Sequence, residues 1–138
     1  MNVQHRRQYS DALGLQDNCI YLAPSGTMRA YAKTAEFLMS ARQDSDLMDG
    51  RVLALHKVSG PRDVHYPAWE MHPEGDELLI LASGSLAVQL REEEMERTVT
   101  LPPQAAFIVP AGLWHRLIVH EPSVLLAITS RHNTLLEG

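Results

Sequence analysis

The sequence predicts an all-β chain, an antiparallel barrel or sandwich with one short helix in its N-terminal half. Three observations carry this. Short apolar runs recur from residue 51 onward, Gly, Pro or charged turns separate most of them, and only one segment has a helical start and period. Such a pattern does not suit alternating strand and helix units.

The elements follow in order. Residues 1–17 are polar and without period, and read as an arm that stays mobile or docks on a partner subunit. Cys19 reads as a small apolar strand residue. The run TAEFLMSAR over 34–42 has Thr34 as an N-cap, with Phe37, Leu38 and Ala41 on one apolar side, and is the expected helix. The Asp-rich stretch 44–50 ends in the turn dipeptide Asp49-Gly50, and the Val- and Leu-rich run 51–58 is the first expected strand of a barrel over about 50–130. Gly60-Pro61 breaks the chain. Further strands are expected at 66–72, 77–83, 85–91, 97–101, 105–109, 114–119 and 124–129. The acidic REEEMER over 91–97 reads as a solvated hairpin tip without function. There is no internal repeat, heptad or low-complexity tract.

Bulk properties narrow the function. A chain of 138 residues with 45% hydrophobic content suits a single domain with one ordinary core. The formal charge of -5 and pI near 5.7 argue against nucleic acid or an anionic membrane as partner, and leave small molecules or proteins. One cysteine allows no internal disulfide, and no stretch approaches the roughly 20 apolar residues that span a bilayer. A cytoplasmic location is the expectation.

The chemistry lies in two separated stretches. Alternate side chains of a strand share a face, so Glu70 and His72 point one way while Trp69 and Met71 point the other. Pro73-Glu74-Gly75-Asp76 is a turn that returns the chain and lets Glu77 approach the first pair. Much later, Pro110-Ala111-Gly112 launches a strand in which His115 shares parity with Leu117 and Val119, and so faces inward. Imidazole and carboxylate together suit a divalent metal ion such as iron, manganese, nickel or zinc, and the absence of thiolates speaks against a structural zinc knuckle. Singly, His72 or His115 would be read as a hydrogen-bonded core histidine. Trp69 and Trp114 lie on the opposite face and read as packing residues, not as a stacking platform for a substrate. His56, His65, His120 and His132 are not expected as ligands, although His56, on a barrel strand, is a candidate to line a pocket.

The two stretches resemble the two motifs of the cupin superfamily. The first family motif runs H-x-H, three or four residues, E, six residues, G; here Glu70-Met71-His72 leads through Glu77 to Gly84. The second contains P-x-G-x-x-H, here Pro110, Gly112 and His115. The resemblance implies a jelly-roll-like cupin barrel with ligands on its inward face and a metal site of Glu70, His72, Glu77 and His115. Glu70 stands where the family usually has a histidine, Val64 and Gln104 stand where the leading glycines would be, and Val119 replaces an asparagine. Two carboxylates and two neutral imidazoles bring a dication to formal charge zero, which implies a weaker Lewis acid and admits manganese or zinc as readily as iron.

Two functions follow as expectations. The first is a metal-dependent enzyme on a small molecule, dioxygenase- or isomerase-like, with Glu70 as the candidate catalytic base. The second is a module that holds a small molecule or metal without transforming it. The apolar outer face of Leu78 and Ile80 needs cover from the helix or a second subunit, which agrees with a homodimer. No Gly-rich phosphate loop or nucleophile elbow supports a nucleotide-dependent enzyme or a serine hydrolase.

Overall fold

The computed structural model describes residues 11–35, 37, 49–130 and 134–138. Among the described residues, nine strands form one antiparallel sheet system: β1 (Asn18–Leu22), β2 (Met28–Ala32), β3 (Arg51–Val58), β4 (Trp69–Met71), β5 (Glu77–Glu92), β6 (Met95–Leu101), β7 (Ala106–Val109), β8 (Trp114–Ser130) and β9 (Leu135–Glu137). The path runs β2-β1-β3-β8-β4-β9, and β5 joins it through β8 while also pairing β6 and β7. The all-β barrel expected from the sequence is what forms.

Two strands are much longer than expected. β5 absorbs the runs at 77–83 and 85–91, and β8 absorbs those at 114–119 and 124–129. They pair along both halves, from Leu78 opposite Ile128 to Arg91 opposite Trp114, with register shifts between Leu81 and Leu86 where Gly84 takes φ 98. A bulge bends a strand without ending it, so what reads as a turn in sequence is a corner of the barrel. Inward side chains of this pair (Leu79, Leu81, Leu86, Val88, Leu90, Leu125 and Ala127) join Val58, Leu101 and Val109 in the main core. Full burial of a leucine or valine side chain contributes roughly 1.5–3 kcal/mol, so this cluster dominates the stability of the barrel.

A second cluster of Cys19, Tyr21, Phe37 and Val52 lies under β1 and β3, where Tyr31 stacks on Phe37 at 4.7 Å. Cys19 is a buried strand residue, as expected. Ala35 and Phe37 are helical and the Phe37 N–H donates to Thr34 Oγ1 at 3.1 Å, which is the N-cap bond; the rest of the expected helix lies outside the described residues. Residues 1–10 of the expected arm and His132 lie outside them as well. The REEEMER segment is a hairpin tip, with Glu93-Glu94 turning between β5 and β6.

The strand expected at 66–72 shrinks to 69–71. Residues 61–64 wind into a 3-10 turn and His65 takes a left-handed conformation; Pro67 has no N–H for a ladder, and the Ala68 N–H is already given to the His65 carbonyl at 2.8 Å. Among the described residues no helix is long and apolar enough to cross a membrane.

Candidate metal centre

Three strands converge to build the site. β4 carries Glu70 with His72 just past its end, β5 begins with Glu77, and β8 places His115 directly opposite Glu70 in the ladder. The two turns of the motifs are tied to each other: the Ala111 N–H donates to Asp76 Oδ1 at 2.8 Å and the Gly112 N–H to the His72 carbonyl at 2.9 Å. Residues 35 and 40 positions apart are thereby held in one register.

All four side chains expected from the sequence meet. One ligand atom from each of Glu70, His72, Glu77 and His115 lies within 4.8 Å of all the others, and His72, Glu77 and His115 are buried. Glu77 is the hub. Its Oε1 is 3.0 Å from His115 Nε2, and its Oε2 accepts from the Thr129 hydroxyl at 2.7 Å and lies 3.3 Å from His72 Nε2. Glu70 Oε1 is 2.9 Å from the same His72 nitrogen, and its side chain is 35% exposed against 9% for Glu77.

The hydrogen-bonding pattern calls for a cation. His115 Nδ1 faces the Leu113 carbonyl at 3.1 Å and its Nε2 faces a carboxylate, yet a neutral imidazole has one N–H to give. A metal ion on Nε2 would leave the single proton on Nδ1 for the Leu113 carbonyl. His72 Nε2 is buried and, although close to two carboxylates, is misaligned for a hydrogen bond with either. A buried nitrogen without a partner, in reach of two anionic oxygens, is the arrangement a divalent ion satisfies. The donor set of two imidazoles and two carboxylates therefore fits a first-row dication.

Without an ion the cluster must hold protons. Burial disfavours charge on both His72 and Glu77, but their attraction outweighs it: Glu70 and Glu77 push His72 up from 6.5 to about 9, and His115 and His72 hold Glu77 down from 4.5 to about 2. Both shifts largely express one ion pair and count once. A lowered carboxylate contributes stability above its ordinary value that is lost as pH falls through the folded one; a raised imidazole contributes below its ordinary value and loses it as pH rises through the folded one. The metal-free protein is therefore expected to be most stable between about pH 4.5 and 6.5, and to lose stability toward pH 9 and toward pH 2. Urea denaturation of chelator-treated protein measures this, and stability unchanged from pH 6.5 to 9 would contradict the pairing.

The cluster opens on a cavity of about 260 Å³. Glu70, Glu77 and His115 line it, whereas His72 lies behind them; the walls are mainly apolar, with Leu79, Leu117 and Leu125 prominent. His56 lines it too, in agreement with its strand parity, and burial and the charge of Lys33 push its imidazole pKa down against the pull of Glu77 and Glu70. Trp69 and Trp114 do not line it. They hold arginines, Arg91 at 5.0 Å from the Trp69 ring and 5.2 Å from the Trp114 ring, and Arg116, which itself lines the cavity, at 4.2 Å from Trp69. Sequence reasoning missed Thr129 and Thr134, which bond Glu77 and His72, and His65 and Asp63, which reach the cavity from the 3-10 turn. Only the strand parity of Thr129 could have signalled any of these.

Comparisons with known proteins bear on the fold and the family. No curated protein matches the chain. Among solved structures, a cupin-2 domain containing protein from Shewanella frigidimarina is 23% identical over 58% of this chain and 70% of its own, with a TM-score of 0.47. Hydroxypropylphosphonic acid epoxidase from S. wedmorenis is 16% identical over 59% of this chain and 43% of its own, with a TM-score of 0.45. Bacillus subtilis oxalate decarboxylase, a protein with Mn(II) centres, is 18% identical over 69% of this chain and 26% of its own, with a TM-score of 0.51. The family model for the cupin domain matches residues 61–129, half of the chain and the stretch that carries every residue of the cluster. With that match laid over a barrel whose two motif turns are hydrogen-bonded together, the chain belongs to the cupin family.

Proposed function

We propose that the protein binds one divalent first-row metal ion through Glu70, His72, Glu77 and His115 and acts as an enzyme on a small molecule held in the adjoining cavity, with dioxygenase- or isomerase-like chemistry. The observation that carries this reading is the convergence of four ligand atoms within 4.8 Å beside a buried imidazole nitrogen that lacks a hydrogen-bond partner. A dication there would polarise an oxygen of the bound molecule as a Lewis acid.

The residues divide the remaining work unequally. Glu77 is buried and engaged by His72, His115 and Thr129, so it anchors and does not move. Glu70 touches His72 alone among these groups, lies at the cavity and is the most exposed member of the cluster. It is the group free to swing, release a ligand position and take a proton from the substrate, the role of a general base. The apolar walls exclude water from the same space and favour a compact ligand with a largely apolar body and one oxygen-bearing end.

Elemental analysis of protein purified without a histidine tag tests the reading. Iron, manganese, nickel or zinc near one equivalent is expected, with a melting temperature that falls on treatment with a chelator. No metal and no chelator effect would leave a non-catalytic small-molecule module. Glu70→Gln is expected to keep ion affinity within roughly tenfold of the parent, because an exposed ligand contributes less than a buried one. A loss as large as that caused by changing Glu77 would refute the division of roles.

A further inference from the structure

The C-terminal strand β9 lies beyond the family match, which ends at residue 129, yet it reaches the centre of the site. It pairs antiparallel with β4, Trp69 opposite Glu137, Glu70 opposite Leu136 and Met71 opposite Leu135. Directly opposed residues of a ladder share a face, so Leu136 lies on the side of Glu70, and one step further along Thr134 meets His72. Both consequences are visible: Leu136 lines the cavity, and Thr134 Oγ1 is 2.9 Å from His72 Nδ1. The strand is fastened at its other end by a bidentate ion pair with Arg91, whose Nη1 and Nη2 donate to Glu137 Oε1 and Oε2 at 3.1 and 3.2 Å. That arginine is itself held between the Trp69 and Trp114 rings.

β4 needs such a support. It has three residues, carries or adjoins two of the four cluster side chains, and meets β8 at the single pair Glu70 and His115, whereas β9 supplies three pairs on its other edge. His72 also needs a partner for its second nitrogen. For Nε2 to present a lone pair to an ion, the one proton of the neutral ring must sit on Nδ1, and a buried Nδ1–H needs an acceptor.

We propose that Thr134 is a positioning residue of the metal centre: its hydroxyl oxygen accepts the His72 Nδ1–H, fixing the tautomer and ring orientation that aim Nε2 at the ion, and β9 is the strap that brings it there. The inference rests on the metal-binding reading above. Ligating histidines commonly depend on such an outer hydrogen bond, and its loss weakens metal binding by about 10–100-fold.

Competition with a chromogenic chelator, using Zn²⁺ alone on full-length metal-free protein, reads the effect directly. Thr134→Val, similar in shape but without the hydroxyl, is expected to weaken Zn²⁺ binding by about 10–100-fold, and Thr134→Ser to restore it to within about threefold. Val binding as tightly as the parent overturns the proposal, and so do equal losses in Val and Ser, because the hydroxyl would then not be the cause. If circular dichroism shows the Val protein misfolded, Thr134→Ala takes its place with the same expected loss. A parent protein that binds no Zn²⁺ refutes the metal reading itself, an outcome distinct from a parent that binds and a Val variant that binds equally.

Discussion

Glu77→Ala is expected to weaken divalent-ion binding by at least 100-fold and to destabilise the metal-free protein by about 3 kcal/mol. The two effects share a cause. Glu77 is the only cluster residue within 3.3 Å of both imidazoles, and the Thr129 hydroxyl spends its hydrogen on the same carboxylate. Truncation leaves these buried groups facing a cavity, and removal of one partner from a buried pair costs roughly 3–5 kcal/mol. The lower end applies, since an imidazole can escape part of the cost by losing its proton. Glu77→Gln separates the effects. The amide keeps the volume and can still accept from Thr129, so stability falls by only about 1 kcal/mol, whereas the anionic ligand is gone and ion affinity falls nearly as far as in the alanine variant. Isothermal calorimetry with Mn²⁺ and urea denaturation report the two quantities. Ion affinity within tenfold of the parent in Glu77→Ala would mean that the cluster is a proton-sharing network and not a metal centre.

The convergence of the four side chains was more legible in the sequence than the strand boundaries around it, for a physical reason. Glu70, His72, Glu77 and His115 are fixed by strand parity and by two tight turns, both of which are local, and the hydrogen bonds from Ala111 to Asp76 and from Gly112 to the His72 carbonyl only lock what each turn already prepares. What escaped the reading depends on pairing across long distances. β2 (MRAYA) and β9 (LLE) are short edge strands whose conformation comes from β1 and β4, not from their own composition. β1 (NCIYL) alternates in burial, but with two apolar residues buried it is hard to tell from the polar arm before it. Thr134 could not be assigned to His72 without the β4 and β9 register. The length of β5 and β8 was hidden differently: Ser83-Gly84-Ser85 and Glu121-Pro122-Ser123 have turn composition, yet the two strands continue past them as a bulged bend and pair again beyond it.

That corner yields the second large effect. Gly84→Ala is expected to destabilise the barrel by about 3–4 kcal/mol, from two separable sources. At φ 98 an L side chain is strained in itself, and a sparsely populated backbone of this kind costs of order 1–3 kcal/mol. In addition, a Cβ at this position would fall 2.2 Å from Ser123 Oγ and 2.6 Å from the Pro122 carbonyl oxygen. Ser123 cannot step aside cheaply, because its hydroxyl accepts from the Ser85 N–H at 3.0 Å and donates to the Glu121 carbonyl at 2.8 Å, bridging the two strands where their register shifts. Relief therefore requires backbone movement at the bend that lets β5 and β8 pair along both of their halves. Gly112→Ala supplies the control. Its φ is 81 but nothing lies within 4 Å of the added Cβ, so it bears the strain without the collision and is expected to cost about 1–2 kcal/mol. Urea midpoints of the two variants, compared at one pH in chelator, measure the difference. Equal losses would show that the approach of β8 to Gly84 is not what demands a glycine, and that the corner closes by some other contact.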